Sequence, residues 1–193
     1  MENNAAQKKF TVKGILIPTL ALFLICIVVA AALAGTNALT KDKIAALEAE
    51  NQRRAMVRLL PALEYEEKTG VLDGENITYY IARTDNQAVG AVYITAAKGY
   101  GGDVSVMTAV GTDGAVAAVE ILSAADETPG LGQNAMKPDF AAQFSGKSGK
   151  VDVVKNGASD NEVNALTGAT ITSKAVADAV NQALALFEKE GIS

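Results

Sequence analysis

The sequence predicts an α+β domain carried behind one membrane span, and three observations predict it. Residues 14–40 contain no charged side chain. From about residue 77 the chain turns into short runs rich in Val, Ile and Tyr, parted by Gly, Asp and Asn clusters, which is the pattern of strands. Near the C-terminus the apolar residues return at helical spacing, so helices pack on an antiparallel sheet.

The first element is the span. Its apolar part, "ILIPTLALFLICIVVAAALA", matches the roughly 20 residues that cross a ~30 Å hydrocarbon core as a helix, which sets a transmembrane helix at 14–35 in the lipid bilayer. Lys8, Lys9 and Lys13 precede it against one acid, Glu2, so the positive-inside bias predicts a cytoplasmic segment 1–13 and an extracytoplasmic remainder. A signal peptide cleaved at the small-x-small site formed by Ala32 and Ala34 competes with this reading, but the run exceeds a signal core of about 7 to 15 residues. An uncleaved single-pass anchor is therefore expected. Pro18 falls in the first turns, where a missing N–H costs little. Cys26, the one cysteine, lies inside the run as an apolar filler.

The stretch 36–75 follows as a juxtamembrane helix and linker. "TKDKIAALEAENQRRAMVRLLP" has strong helix formers, with apolar Ile44, Leu47, Met56, Leu59 and Leu60 ahead of Pro61. Residues 76–193 then form the outer domain. "ITYYIA", "AVGAVYIT", "VSVMTAV" and "AVAAVEIL" read as strands, with Asp113-Gly114 supplying the positive-φ turn of the clearest hairpin. A short helix at "PDFAAQF", a further strand in "KVDVVK" and a last helix from about Ser173 to Glu190 complete it. That helix carries an apolar stripe at Val176, Val180, Leu184 and Phe187, and Gly191 closes it.

Composition removes several kinds of chemistry. With no His and a single Cys inside the span, zinc, haem and iron–sulfur sites and Cys- or His-based catalysis lack their usual ligands. Setting Lys8, Lys9, Lys13 and Glu2 aside from 17 basic and 22 acidic residues leaves 14 against 21, a net −7 outer part that does not suit nucleic acid. There is no GxGxxG after a strand and no P-loop, since "SGKSGK" has Ala141 where the first glycine would stand. An NAD site is not expected on this chain.

Three stretches ask for more than a fold. "KGYGGD", Lys98 to Asp103, sets three glycines around Tyr100 and suits either close backbone approach to a ligand or a tight turn. "ETPGLG", Glu127 to Gly132, holds Pro129-Gly130 in the middle of a type II turn and presents Leu131 as an apolar residue on a rigid loop, or is an ordinary surface turn. "ALTGATITSKAV", 165–176, brings Thr167, Thr170, Thr172 and Ser173 to a helix start that needs one cap.

The stretch "KGYGGDVSVMTAVGTDGAVAAVEILSAADETPGLG", followed by "LTGATITS", resembles the FMN-binding domain of the G subunit of the Rnf electron transport complex. It is more distantly similar to the C subunit of the sodium-translocating NADH:quinone reductase. The resemblance spans most of residues 90–190, and the single N-terminal span agrees with it. It implies FMN held by a phosphoester on the last residue of Ser/Thr-Gly-Ala-Thr, here Thr170, installed by a flavin transferase that uses FAD. Asn164 stands where that motif begins with Asp. The resemblance also implies that Glu127, Thr128 and Leu131 lie near the isoalloxazine ring, and Gly130 and Gly132 of the same loop are expected among the cofactor-binding residues.

The residues suit this chemistry. A phosphodiester keeps one negative charge, which the free N–H groups and positive dipole end of a helix start receive. Gly168 and Ala169 leave room for a modifying enzyme to reach Thr170, while Thr167, Thr172 and Ser173 cap the helix or bind phosphate oxygens. The expected function is an electron-carrying redox subunit of a membrane complex that couples ferredoxin and NAD chemistry to ion translocation, with the other Rnf subunits as partners. The alternatives are the quinone-reductase C subunit, which the short chain disfavours, and an anchored envelope binding or scaffolding module without flavin.

Overall fold

The computed structural model describes residues 12–192, with the side chains of the first helix described from Ile15 onward. The segment 1–13 and its orienting charges Glu2, Lys8 and Lys9 lie outside those residues or at their edge, as does Ser193. The chain divides after Glu50 into two units.

The first unit is the greater part of one long helix, α1 (Val12–Leu59). Every described side chain from Ile15 to Glu50 is exposed, although the run from Ile15 is apolar enough to cross a membrane. Bare apolar surface on that scale is stable only against lipid. Its hydroxyls are silenced internally: Thr19 donates to the Ile15 carbonyl at 2.8 Å, Thr36 to Ala32 at 2.9 Å and Thr40 to Thr36 at 2.9 Å.

The second unit is an α+β domain. Its sheet is an antiparallel meander in sequence order: β1 (Glu64–Leu72), β2 (Glu75–Thr84), β3 (Gln87–Lys98), β4 (Asp103–Gly111) and β5 (Val116–Ser123). The four strands expected from the sequence are β2 to β5. The first strand falls instead in 64–72, inside the stretch read as linker, because "EYEEKTGVL" is a charged, mostly exposed edge strand with little apolar alternation to betray it. The β4–β5 hairpin turns through three residues rather than two. Gly114 takes φ 76°, its N–H bonds to the Gly111 carbonyl at 3.0 Å, and Gly111 N–H bonds to the Ala115 carbonyl at 2.9 Å.

Both faces of the central strands are covered, which explains their nearly continuous burial. On one face α3 (Thr170–Glu190) lays Val176, Val180, Leu184 and Phe187 against Ala91, Tyr93, Val104 and Val106. On the other, Ala55 and Met56 from the end of α1 pack with Val92, Met107 and Ala109. The Tyr65 hydroxyl donates to the Leu60 carbonyl at 2.7 Å and fastens that helix end to β1. Gly191 closes α3 in the left-handed conformation, φ 61°.

Between β5 and α3 the chain forms the short helix α2 (Pro138–Ala141) and two strands, β6 (Asp152–Val154) and β7 (Glu162–Asn164), which pair parallel. The sequence signals β6 but not β7, whose three residues are too few to show a period. Asn181 of α3 anchors this region: its side chain accepts from Val151 N–H at 2.8 Å and donates to the Val151 carbonyl at 2.9 Å.

Candidate functional site

The turn at Thr128–Leu131 is closed by a Leu131 N–H bond to the Thr128 carbonyl at 3.1 Å, with Pro129 and Gly130 between them and Gly130 at φ 76°. That is the positive φ a type II turn requires at its third position. Two side chains brace the loop: Asn134 donates to the Gly130 carbonyl at 2.6 Å and Gln133 to the Ala125 carbonyl at 3.1 Å. Leu131 is thereby held 43% exposed on a rigid support.

The segment ahead of α3 comes to meet it. A Cβ built on Gly168, which has φ 76°, would lie 3.1 Å from Cδ2 of Leu131. Two motifs separated widely in sequence thus form one place. Helix α3 begins at Thr170, three residues earlier than the sequence suggests, and its cap position is Ala169, which offers no side-chain acceptor. The N–H groups of its first turn are left for an outside acceptor. Thr170 is exposed, and so is Ile171 at 53%.

Two of the other hydroxyls are committed inside the protein. Thr172 is buried and donates to a carboxylate oxygen of Glu127. Ser173, also buried, accepts from Leu166 N–H at 2.9 Å and donates to the Ala169 carbonyl at 2.9 Å. Thr167 is exposed, but it sits in the loop ahead of the helix and outside the cleft described next. Of the four hydroxyls, Thr170 is the one that is both at the helix start and exposed on the cleft described next.

Glu127 is 3% exposed and bridges three segments. One oxygen takes the Thr172 hydroxyl, and the other accepts from Gly101 N–H at 3.0 Å. Burial alone pushes its carboxyl up, but the Thr172 hydroxyl and the N–H groups of Gly101, Tyr100 and Gly102 outweigh it and hold the carboxyl below its ordinary value. The glycines of "KGYGGD" serve this approach. A Cβ at Gly99 would strike the Glu127 carboxylate, and one at Gly101 would strike the Asp126 carbonyl.

These segments wall a cleft of about 610 Å³ lined by Tyr100, Glu127, Thr128, Leu131, Gly132 and the run 168–172. Its volume is in the range of small-molecule sites. Its lining includes Tyr100, Leu131 and Ile171, exposed apolar or aromatic side chains suited to a flat ring, together with Thr170 and the open helix start. Of the residues the sequence singles out, Glu127, Thr128, Leu131, Gly132, Gly168, Ala169, Thr170 and Thr172 line it, while Gly130, Thr167 and Ser173 are outside the lining. Tyr100 and Ile171 are lining residues that sequence reasoning does not place at the site. The signal for Tyr100 is its position amid three glycines; for Ile171 it is an apolar residue off the stripe that α3 buries.

Fold and site together define an anchored α+β domain with a ligand cleft at a helix start, and comparison with known proteins supplies the ligand's class. Residues 99–185 match the FMN-binding domain family, and residues 6–59 match the RnfG N-terminal region. The chain is 34% identical over 189 residues to the G subunit of the Na(+)-translocating ferredoxin:NAD(+) oxidoreductase complex of Acetobacterium woodii, covering 88% of this chain and 89% of that one. It is 32% identical to the G subunit of the ion-translocating oxidoreductase complex of Methanosarcina acetivorans, over 84% and 89% of the two chains. A crystal structure of the C subunit of the Na(+)-translocating NADH-quinone reductase from Parabacteroides distasonis aligns with TM-score 0.52 and 28% identity, over 61% of this chain and 64% of that one. The chain belongs to the G-subunit family of the ion-translocating Rnf-type oxidoreductase complexes, membrane-bound redox assemblies, and carries that family's FMN-binding domain. The quinone-reductase C subunit is its structural relative.

Proposed function

We propose that this chain carries FMN covalently on Oγ1 of Thr170 and passes electrons within a membrane complex that couples ferredoxin oxidation and NAD+ reduction to ion movement. The observation that carries the reading is the Thr170 hydroxyl: exposed, first in a 21-residue helix without a side-chain cap, and on a cleft walled by Tyr100, Leu131 and Ile171.

The residues present fit the group. The uncapped first turn of α3 offers N–H groups and a positive dipole end to a phosphodiester, and the apolar wall offers contact to a ring. FMN supplies the electron chemistry when bound. The chain's own residues orient it: Thr170 fixes one end, Leu131 and Ile171 exclude water, and Glu127 holds the wall. Attachment needs an enzyme that uses FAD. The Thr170 oxygen would form the bond to the FMN phosphorus as the pyrophosphate bond of FAD breaks, with AMP as the leaving group and the hydroxyl proton passing to the transferase. Gly168 close by gives that enzyme access. A covalent link keeps the flavin at high effective concentration in a compartment that does not supply it. This suits an extracytoplasmic domain, the placement that Lys8, Lys9 and Lys13 favour.

Thr170→Val tests the reading. It removes the oxygen and keeps a β-branched shape, so the chain should fold while flavin fluorescence in the denatured band and the matching mass increase disappear. A Val variant that still carries FMN places the attachment elsewhere. Wild type that carries none when co-expressed with a competent flavin transferase refutes the covalent carrier.

A further inference from the structure

Glu127 lines the cleft, but its carboxylate is tied to the loop bearing Tyr100 and to Thr172. It is buried, and its oxygens are occupied by the Thr172 hydroxyl and by Gly101 N–H, next to Tyr100. Gly99 N–H closes the same loop on the Gly102 carbonyl at 2.8 Å, and Gly99, Gly101 and Gly102 are each packed so closely on Asp126 or Glu127 that a Cβ would collide. Such a loop has little freedom, yet the side chain at its tip is 72% exposed and lines the same cleft as the Thr170 segment. A large aromatic residue held out in water on a braced loop, on the same cleft as the exposed apolar side chains of Leu131 and Ile171, has the arrangement of a ring-binding wall.

Resting on the FMN reading above, we propose that Tyr100 packs on the flavin ring and that Glu127 and Thr172 form a buried latch that positions it. Glu127 is then a positioning residue, not a ring contact. The latch requires acceptors on both carboxylate oxygens. Glu127→Gln turns one of them into a donor facing Thr172 or Gly101, and Thr172→Val leaves one without its hydroxyl, whereas Thr172→Ser keeps it.

Two measurements on the detergent-solubilised full chain test this. The first uses chain co-expressed with a flavin transferase, with covalent load read from the denatured band. Native flavin fluorescence should be several-fold lower than after denaturation, because a stacked phenol quenches it. Tyr100→Ala should carry the same load but lose most of that quenching and shift the flavin potential, while Tyr100→Trp should keep the quenching. Equal fluorescence and potential in wild type and Tyr100→Ala at equal load overturn the ring contact. Absence of covalent flavin from wild type is a failure of the FMN reading and is seen separately on the gel.

The second needs no flavin. The chain has no Trp, so Tyr100→Trp installs a single reporter. Its fluorescence anisotropy should fall, and its iodide quenching rise, when Thr172→Val or Glu127→Gln is added, and Thr172→Ser should restore the parent values. Far-UV circular dichroism confirms that the sheet persists. A reporter indifferent to both latch substitutions, or not rescued by Ser, overturns the latch.

Discussion

Gly132→Ala isolates the packing behind the cleft, because its cost is steric and not conformational. Gly132 is buried, and its φ lies outside the left-handed region, so alanine fits the backbone and would gain about 0.4–1 kcal/mol through the unfolded chain. The new Cβ, however, would strike Oε2 of Glu127 and lie 2.8 Å from Oγ1 of Thr172 and 2.9 Å from Cβ of Glu127. These atoms belong to a buried, hydrogen-bonded pair, so they cannot give way without breaking it. Overpacking costs about 1–3 kcal/mol, and a weakened hydrogen bond to a charged group about 1.5–3 kcal/mol. The net is a loss of about 2–4 kcal/mol. Gly130→Ala, two residues away, is the control: φ 76° strains alanine but nothing lies within 4 Å of its Cβ, so it should cost about 1–2 kcal/mol. Urea unfolding of the full chain in detergent, followed by tyrosine fluorescence, measures both. With Thr172→Val added, the Gly132 cost should shrink because the two substitutions disturb one pair, while the Gly130 cost should add unchanged. A Gly132→Ala variant within about 0.5 kcal/mol of wild type, or one strictly additive with Thr172→Val, refutes the reasoning.

Three further outcomes are expected. Because the Glu127 carboxyl is held below its ordinary value of 4.5, its contribution to stability is complete above that pH and lost as pH falls through the depressed value; acid unfolding of Glu127→Gln should therefore show a shallower slope below about 4.5 than wild type. Asn181→Ala removes both bonds to the buried Val151 backbone and should cost about 2–4 kcal/mol in the same urea assay, with faster proteolysis of the 146–161 segment. Arg58→Ala breaks a pairing with both Glu120 oxygens, at 2.6 and 2.9 Å, but the arginine side chain is 63% exposed, so stability should change by no more than about 1 kcal/mol and less in high salt.

The span and four of the five main strands are readable in the sequence because their periods are long enough to count. The edge strand 64–72 hides because "EYEEK" presents charge where alternation would be sought, and β7 hides because three residues hold no period. At the site, the Pro129-Gly130 turn is readable from turn chemistry alone. What no spacing gives is the meeting of Leu131 with Gly168, or of Glu127 with Gly101 and Thr172. Those pairings depend on the sheet bringing the β3–β4 and β5–α2 connections to the same end as the start of α3. The glycines of "KGYGGD" show the limit: sequence suggests that something approaches them closely, and the structure identifies it as the Asp126–Glu127 backbone and side chains.

The surplus of hydroxyls at the start of α3 resolves once the buried stripe is followed backwards. At 3.6 residues per turn, the face carrying Val176, Val180, Leu184 and Phe187 continues N-terminally to Ser173 and Thr172, and both are buried. Thr170 lies about half a turn round from Thr172, on the exposed side. One helical turn therefore sorts the hydroxyls into two kinds. Those inward must find partners within the protein, and they do, on Glu127, Leu166 and Ala169. The outward one has no such demand and is open to chemistry from solvent. The same inward pair ties the helix start to Glu127 and, through Gly101, to the loop bearing Tyr100. An attachment point and a ring wall built this way are held at a fixed separation by buried bonds, which a carrier needs if its redox group is to keep one distance from the groups it exchanges electrons with.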